Sequence, residues 1–214
     1  DAGLIDTLNV NLAAGTNYAT LEAGDDAVTL NITGAGNGYL STDDTLESVD
    51  ASAAAGNIDI TLSGVSDVAV KGGAGNDTLR LGTTFGNADS FDGGAGTDRI
   101  AVTIAGFNRN LNTTNVENAT LTFSEAAGGD VNASASTVTG FTFAAGTAGN
   151  AASVSQIANG ATITLNDDDL GDVTLDYASG ATTTTLNIGS VSGTVAIGTL
   201  AITDVATVTI NSVG

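Results

Sequence analysis

Two nine-residue stretches, GGAGNDTLR at 72–80 and GGAGTDRIA at 93–101, write Gly-Gly-Ala-Gly-x-Asp twice, starting 21 residues apart. Glycine reaches backbone angles closed to other residues, so each stretch reads as a tight turn. An apolar residue follows each aspartate by two places, and Leu79 and Ile100 are expected to open strands with their side chains toward a core. Outward from these turns, period-2 alternation dominates and helical spacing is scarce. It runs through Leu8, Val10 and Leu12, through Ile58, Ile60 and Leu62, and through Ile100, Val102 and Ile104. Further along come Leu121 and Phe123, Phe141 and Phe143, Ile163 and Leu165, and finally Val208 and Ile210. The alternate positions are mostly Thr, Asn, Ala and Asp, so each strand offers one apolar and one small polar face.

No Asn-Gly pair sits squarely between adjacent strands; GNGYL at 36–40 is the nearest hairpin signal. Leu81, Val102, Leu121, Phe143 and Leu165 recur at intervals of 19 to 22 residues, the period of architectures that lay down one coil per repeat. The expected fold is therefore all-β, a parallel β-solenoid. After about residue 105 the Gly-Gly-x-Gly turns stop and threonine becomes frequent, as in ATTTTLNIGS. Residues 1–105 are expected to form a solenoid bearing the glycine turns, and residues 106–214 its Thr/Ala-rich continuation.

The 214 residues carry 24 acidic and 4 basic side chains, a formal net charge of −20. With 42% apolar residues the chain can still bury a core, so disorder is not expected. Cys, His, Met, Pro and Trp are all missing, which removes disulfides and thiolate metal sites. The acidity argues against nucleic-acid binding, and no apolar run approaches the ~20 residues that span a bilayer. The opening residues Asp1-Ala2-Gly3 carry neither an initiator Met nor a leader pattern, and the chain is expected to be a piece of something longer.

Both glycine stretches fit Gly-Gly-x-Gly-x-Asp-x-U-x, the nonapeptide calcium repeat, and in this the chain resembles the RTX family. The pattern has a physical basis: such a turn gathers carbonyl oxygens, and calcium takes six to eight oxygens from carbonyls and carboxylates. The resemblance implies an RTX β-roll with Ca2+ as cofactor. Its ligands would be Asp77 and Asp98 on one edge, with Gly73, Gly75, Asn76, Gly94, Gly96 and Thr97 of the same turns and Asp92 just before the second. FGNADSF (85–91) reads as a worn copy on the opposite edge, with Asp89 in the Asp role and Phe91 in the core. Asp26 in EAGDDAV would hold that position in a third, imperfect copy. The acidic stretches NDDDL (166–170) with Asp172, and TDDTL (42–46), read as solvated loops, with a second calcium site of another kind or a lattice contact as the alternative.

Glycine turns set in Thr/Ala/Asn-rich strands are also similar to the surface-layer proteins of Gram-negative bacteria, of the Caulobacter type. That resemblance implies an extracellular protein of the bacterial cell surface, exported by type I secretion. It would assemble with identical subunits and touch cell-surface polysaccharide through another part of the chain. The alternative is a rigid stalk module of a large RTX adhesin. A β-helix polysaccharide-active enzyme is a minor third reading. Such enzymes rely on basic residues, and the whole supply here is Lys71, Arg80, Arg99 and Arg109, with no His. The chain is expected not to be an enzyme.

Overall fold

The computed structural model describes residues 6–21, 29–42, 46–64, 67–125, 128–145, 149–166, 170–189 and 195–212. The chain is an all-β parallel β-solenoid of about nine turns, with no helix among the described residues. It divides into two compact units, residues 1–101 with 112–116, and residues 102–111 with 117–214.

The first unit is built from β1 (Thr7–Leu12), β2 (Thr16–Leu21), β3 (Thr29–Gly34), β4 (Asn37–Thr42) and β5 (Ser48–Ala54). It continues through β6 (Ile58–Leu62), β7 (Ala69–Lys71), β8 (Thr78–Leu81), β9 (Ser90–Asp92) and the start of β10 (Arg99–Ile104). The second unit takes the rest of β10 and β11 (Arg109–Asn110), while β12 (Asn112–Thr114) returns to the first. There follow β13 (Asn118–Phe123), β14 (Gly129–Asn132), β15 (Gly140–Ala145) and β16 (Asn150–Ile157). The last strands are β17 (Thr162–Leu165), β18 (Leu170–Ile188) and β19 (Leu200–Ser212).

In the first unit, the odd strands to β9, followed by β12, form one sheet in the order β1-β3-β5-β7-β9-β12, and even strands β2-β4-β6-β8 run along the other. These neighbours pair in parallel. Each coil thus lays one strand on either sheet, and the apolar alternation points both inner faces at one another. Register turns the sequence period into columns. Leu30, Val49, Val70 and Phe91 stack along one sheet, and Leu40, Ile60 and Leu79 along the other. All seven are buried, each such side chain contributing about 1.5–3 kcal/mol. Leu79, Phe91 and Ile100 face the core as their places after the aspartates require. Asn37-Gly38 makes no hairpin; both residues start β4, which pairs in parallel with β2 and β6.

In the second unit β13-β15-β17 and the end of β18 align Leu121, Phe143, Leu165 and Ile188 in one column. This is the recurrence legible in the sequence, and the Phe123 and Phe143 rings meet inside it at 5.5 Å. Strand β18 joins two runs of strands into one sheet, pairing with β16 through its first half and with β17 through its last residues. Its corner passes through Gly180 at φ +87°. The hydroxyl of buried Tyr177 lies 2.5 Å from that of Thr184, which donates to the Ala161 carbonyl at 2.9 Å. The polar groups of this corner are thereby paired, as buried ones must be.

Candidate functional site

The edge between β7 and β8, and between β9 and β10, carries the two Gly-Gly-Ala-Gly-x-Asp turns at 72–77 and 93–98. On this edge they stack on the turns of three preceding coils, and the turn after β12 follows them, Gly93 N–H donating to the Thr114 carbonyl at 2.9 Å. LAAGTN (12–17), TGAGNG (33–38) and AAAGNI (53–58) occupy the same place in the preceding coils, and every one keeps Ala-Gly at its third and fourth positions. Main-chain bonds join the turns step by step. Gly36 N–H donates to Leu12 C=O (3.3 Å), Ala55 to Gly34 (2.9 Å), Ala74 to Ala54 (3.1 Å) and Ala95 to Gly73 (2.9 Å).

Two side-chain ladders run beside this backbone ladder, in opposite directions. Asparagines reach forward: the side-chain oxygens of Asn37, Asn57 and Asn76 accept from the N–H groups of Asn57, Asn76 and Thr97 at 2.8–2.9 Å. Aspartates reach back. Asp77 Oδ1 accepts from Ile58 N–H of the coil before (2.7 Å), and Asp98 Oδ1 accepts from Asp77 N–H (2.6 Å). Asp77 Oδ2 also closes its own turn by accepting from Gly73 N–H at 2.6 Å. On the opposite edge Asp89 does the same work, accepting from Val68 N–H (2.8 Å) and Gly86 N–H (2.7 Å). Asp77, Asp89 and Asp98 are only 2%, 3% and 1% exposed.

The spelling of the motif now has a steric explanation. A Cβ on Gly72 would lie 2.2 Å from the Gly93 carbonyl oxygen of the next coil and 2.5 Å from Asp77 Oδ2, and one on Gly93 would lie 2.2 Å from the Asn115 carbonyl oxygen and 2.5 Å from Asp98 Oδ2. The carbonyl of the next coil and the carboxylate of the same turn together occupy the space that a side chain at the first position would need. Where the sixth position holds no aspartate, in TGAGNG and AAAGNI, the first position is Thr33 or Ala53 instead of glycine. First glycine and aspartate therefore come together or not at all in these four turns.

The remaining expected ligands among the described residues lie in these turns or beside them. Asp92 ends β9, in register with Lys71 of β7, which is itself in register with Asp50 of β5. Its Oδ1 accepts from Gly94 N–H (3.2 Å) and from the Asn115 amide (2.9 Å). Gly73 contributes its carbonyl to the backbone ladder, and Gly75, Gly94 and Gly96 stand directly against the turn below. Asp26 lies outside the described residues, as do Asp43, Asp44 and Asp167 to Asp169. Asp172 accepts from Thr199 N–H at 2.7 Å.

Burial pushes the Asp77 carboxyl above the ordinary carboxylate value, an effect only partly offset by the Gly73 and Ile58 N–H groups. Asp50 moves the other way, drawn down mainly by the Ser52 hydroxyl and backbone N–H and then by Lys71. A raised folded value means that the native state keeps its proton where the unfolded chain has lost it. The stability that Asp77 contributes is then fully present below the unfolded value and lost as pH rises through the folded one. Without divalent cations, the melting temperature is expected to rise on acidification from about pH 7 toward about pH 4, with relief of the −20 charge acting in the same direction. Asp50 counteracts this only below its ordinary value. Asp77→Asn should flatten the rise, as thermal melts across that range would register.

Among the described residues, no three acidic side chains converge into a metal-sized cluster. The turn edge nevertheless fits a hard cation in kind. It offers two buried carboxylates in successive coils and main-chain carbonyls, all oxygen donors of the type calcium takes. Each Asp77 oxygen accepts one bond where a carboxylate oxygen has room for about two. No family model, curated protein or solved structure matches this chain. Among the described residues no helix is long and apolar enough to cross a membrane.

Proposed function

We propose that this chain is a calcium-stabilised structural segment of a bacterial surface layer or a comparable extracellular assembly, with no catalytic role. The observation that carries the reading is the pair of buried carboxylates, Asp77 and Asp98, on one glycine-turn edge of consecutive coils in a chain of net charge −20. Burying such charges in a self-repelling chain is unfavourable, and a divalent cation near them would offset both effects. The ion would be held by Asp77 and Asp98 with carbonyls of the 72–77 and 93–98 turns, and its binding free energy would add to folding. Small polar outer faces on the strands would let neighbouring copies pack laterally.

Extracellular calcium modules bind at roughly 0.1–1 mM. Ten-millimolar calcium is then expected to add about 1.4–2.7 kcal/mol per site, raising the melting temperature relative to chelator. Asp77→Asn and Asp98→Asn should abolish that rise. Equal melting in calcium and in chelator would overturn the calcium reading. Electron micrographs of the protein in calcium test the assembly: ordered arrays support it, whereas dispersed single molecules at all concentrations would refute it.

A further inference from the structure

The chain has three tyrosines, and two of them meet on the outer surface of the first unit. Tyr18 of β2 and Tyr39 of β4 are in register, their rings stacked at 5.0 Å with 15° between planes. They remain 76% and 47% exposed. Asp59 of β6 is next in the same row, in register with Tyr39. From the row beside it, Arg80 of β8 reaches back to grip Asp59 with two bonds of 2.8 Å, Nε to Oδ1 and Nη2 to Oδ2. Ser41 and Thr61 complete a shallow trough between Tyr39 and this pair. One of only four basic side chains and two of only three tyrosines thus converge on one small surface.

We infer that this surface binds a neutral polysaccharide. The aromatic pair presents apolar carbon faces rimmed by hydroxyls, which match the alternation of C–H faces and hydroxyl edges on a sugar ring. The Arg80–Asp59 fork presents donors and acceptors side by side. A guanidinium has five N–H donors and a carboxylate about four acceptor sites, and the mutual grip uses two of each. Hydroxyls, which donate and accept at once, suit such a mixed edge. Charge selects the class of sugar. The pair is neutral as a unit and the chain around it carries −20, so uronate-rich or phosphorylated polymers are repelled at long range. Stacked strands repeat every ~4.8 Å, which favours an extended chain lying across them.

The surface is independent of the turn edge, so the inference stands or falls apart from the calcium reading. Because there is no Trp and Tyr177 is buried away from this surface, a ligand-induced change in intrinsic tyrosine fluorescence reports mainly Tyr18 and Tyr39. Dextran and laminarin are the neutral probes and alginate the anionic one, with electrophoretic retardation in polysaccharide-containing gels as a second readout. The expected result is a saturable fluorescence change and retardation with at least one neutral polymer. Alginate should give no response, and Tyr39→Ala and Arg80→Gln should each weaken binding roughly ten-fold. Phe107→Ala, which removes an exposed aromatic of the other unit, should bind as the parent does. The idea is overturned by silence with both neutral polymers, by alginate binding as well as they do, or by undiminished binding in folded Tyr39→Ala protein.

Discussion

Gly96→Ala is expected to destabilise the first unit by about 3 kcal/mol or more, enough to lower its melting temperature by roughly 10 °C or more. Two effects add. Gly96 sits at φ +132°, a backbone conformation that side chains rarely adopt, and a Cβ there would meet the Gly75 carbonyl oxygen at 2.2 Å. That oxygen belongs to the coil below, and strand pairing on both sheets fixes its position, so little can move aside. Gly82→Ala is the matched control. It has nothing within 4 Å of the added carbon and no unusual φ, and should change stability by less than about 0.5 kcal/mol. Urea unfolding of the two variants checks the contrast, and similar stabilities would show that the turns do not stack as described.

Asp77→Ala is the second large effect, about 2–6 kcal/mol. The substitution strands two buried N–H groups, those of Ile58 and Gly73, at about 1–3 kcal/mol each. Asp77→Asn keeps one acceptor and should cost about half as much. The decisive comparison is made in chelator. If Asp77 serves only to hold an ion, wild type and variant should be equally stable once calcium is removed. If it also fastens one coil to the last, the variant stays weaker in chelator. The latter is the expected outcome, since the hydrogen bonds form between protein groups alone. Asp89→Ala, which strands Val68 and Gly86 N–H groups on the other edge, should behave alike although it lacks a Gly-Gly motif.

Much of this architecture is legible along the chain. Alternation over Ile58–Leu62 or Ile100–Ile104 gives strands because successive side chains must face opposite ways. The glycine pairs at 72–73 and 93–94 mark turns, and Asp89 stands out as the acid of a worn copy. The three earlier turns escaped because they keep only Ala-Gly, at 14–15, 35–36 and 55–56, a dipeptide too short to stand out in an alanine- and glycine-rich chain. The work of the aspartates was equally hidden. An acid after glycines reads as an ion ligand, whereas its fit to backbone N–H groups depends on a coil some 20 residues away.

By itself, then, the sequence determined what is local: strands from alternation, turns from glycine, coil length from the spacing of apolar residues, and a strong negative charge. Tertiary structure alone decided register. Register placed Asp77 against Ile58 N–H, drew the Asn37, Asn57 and Asn76 side chains into a ladder, and brought Tyr18 beside Tyr39 and Asp59. The reason is that stacking partners in a solenoid are one full coil apart. A turn one residue longer or shorter shifts a whole column, and only simultaneous packing of both sheets selects the match.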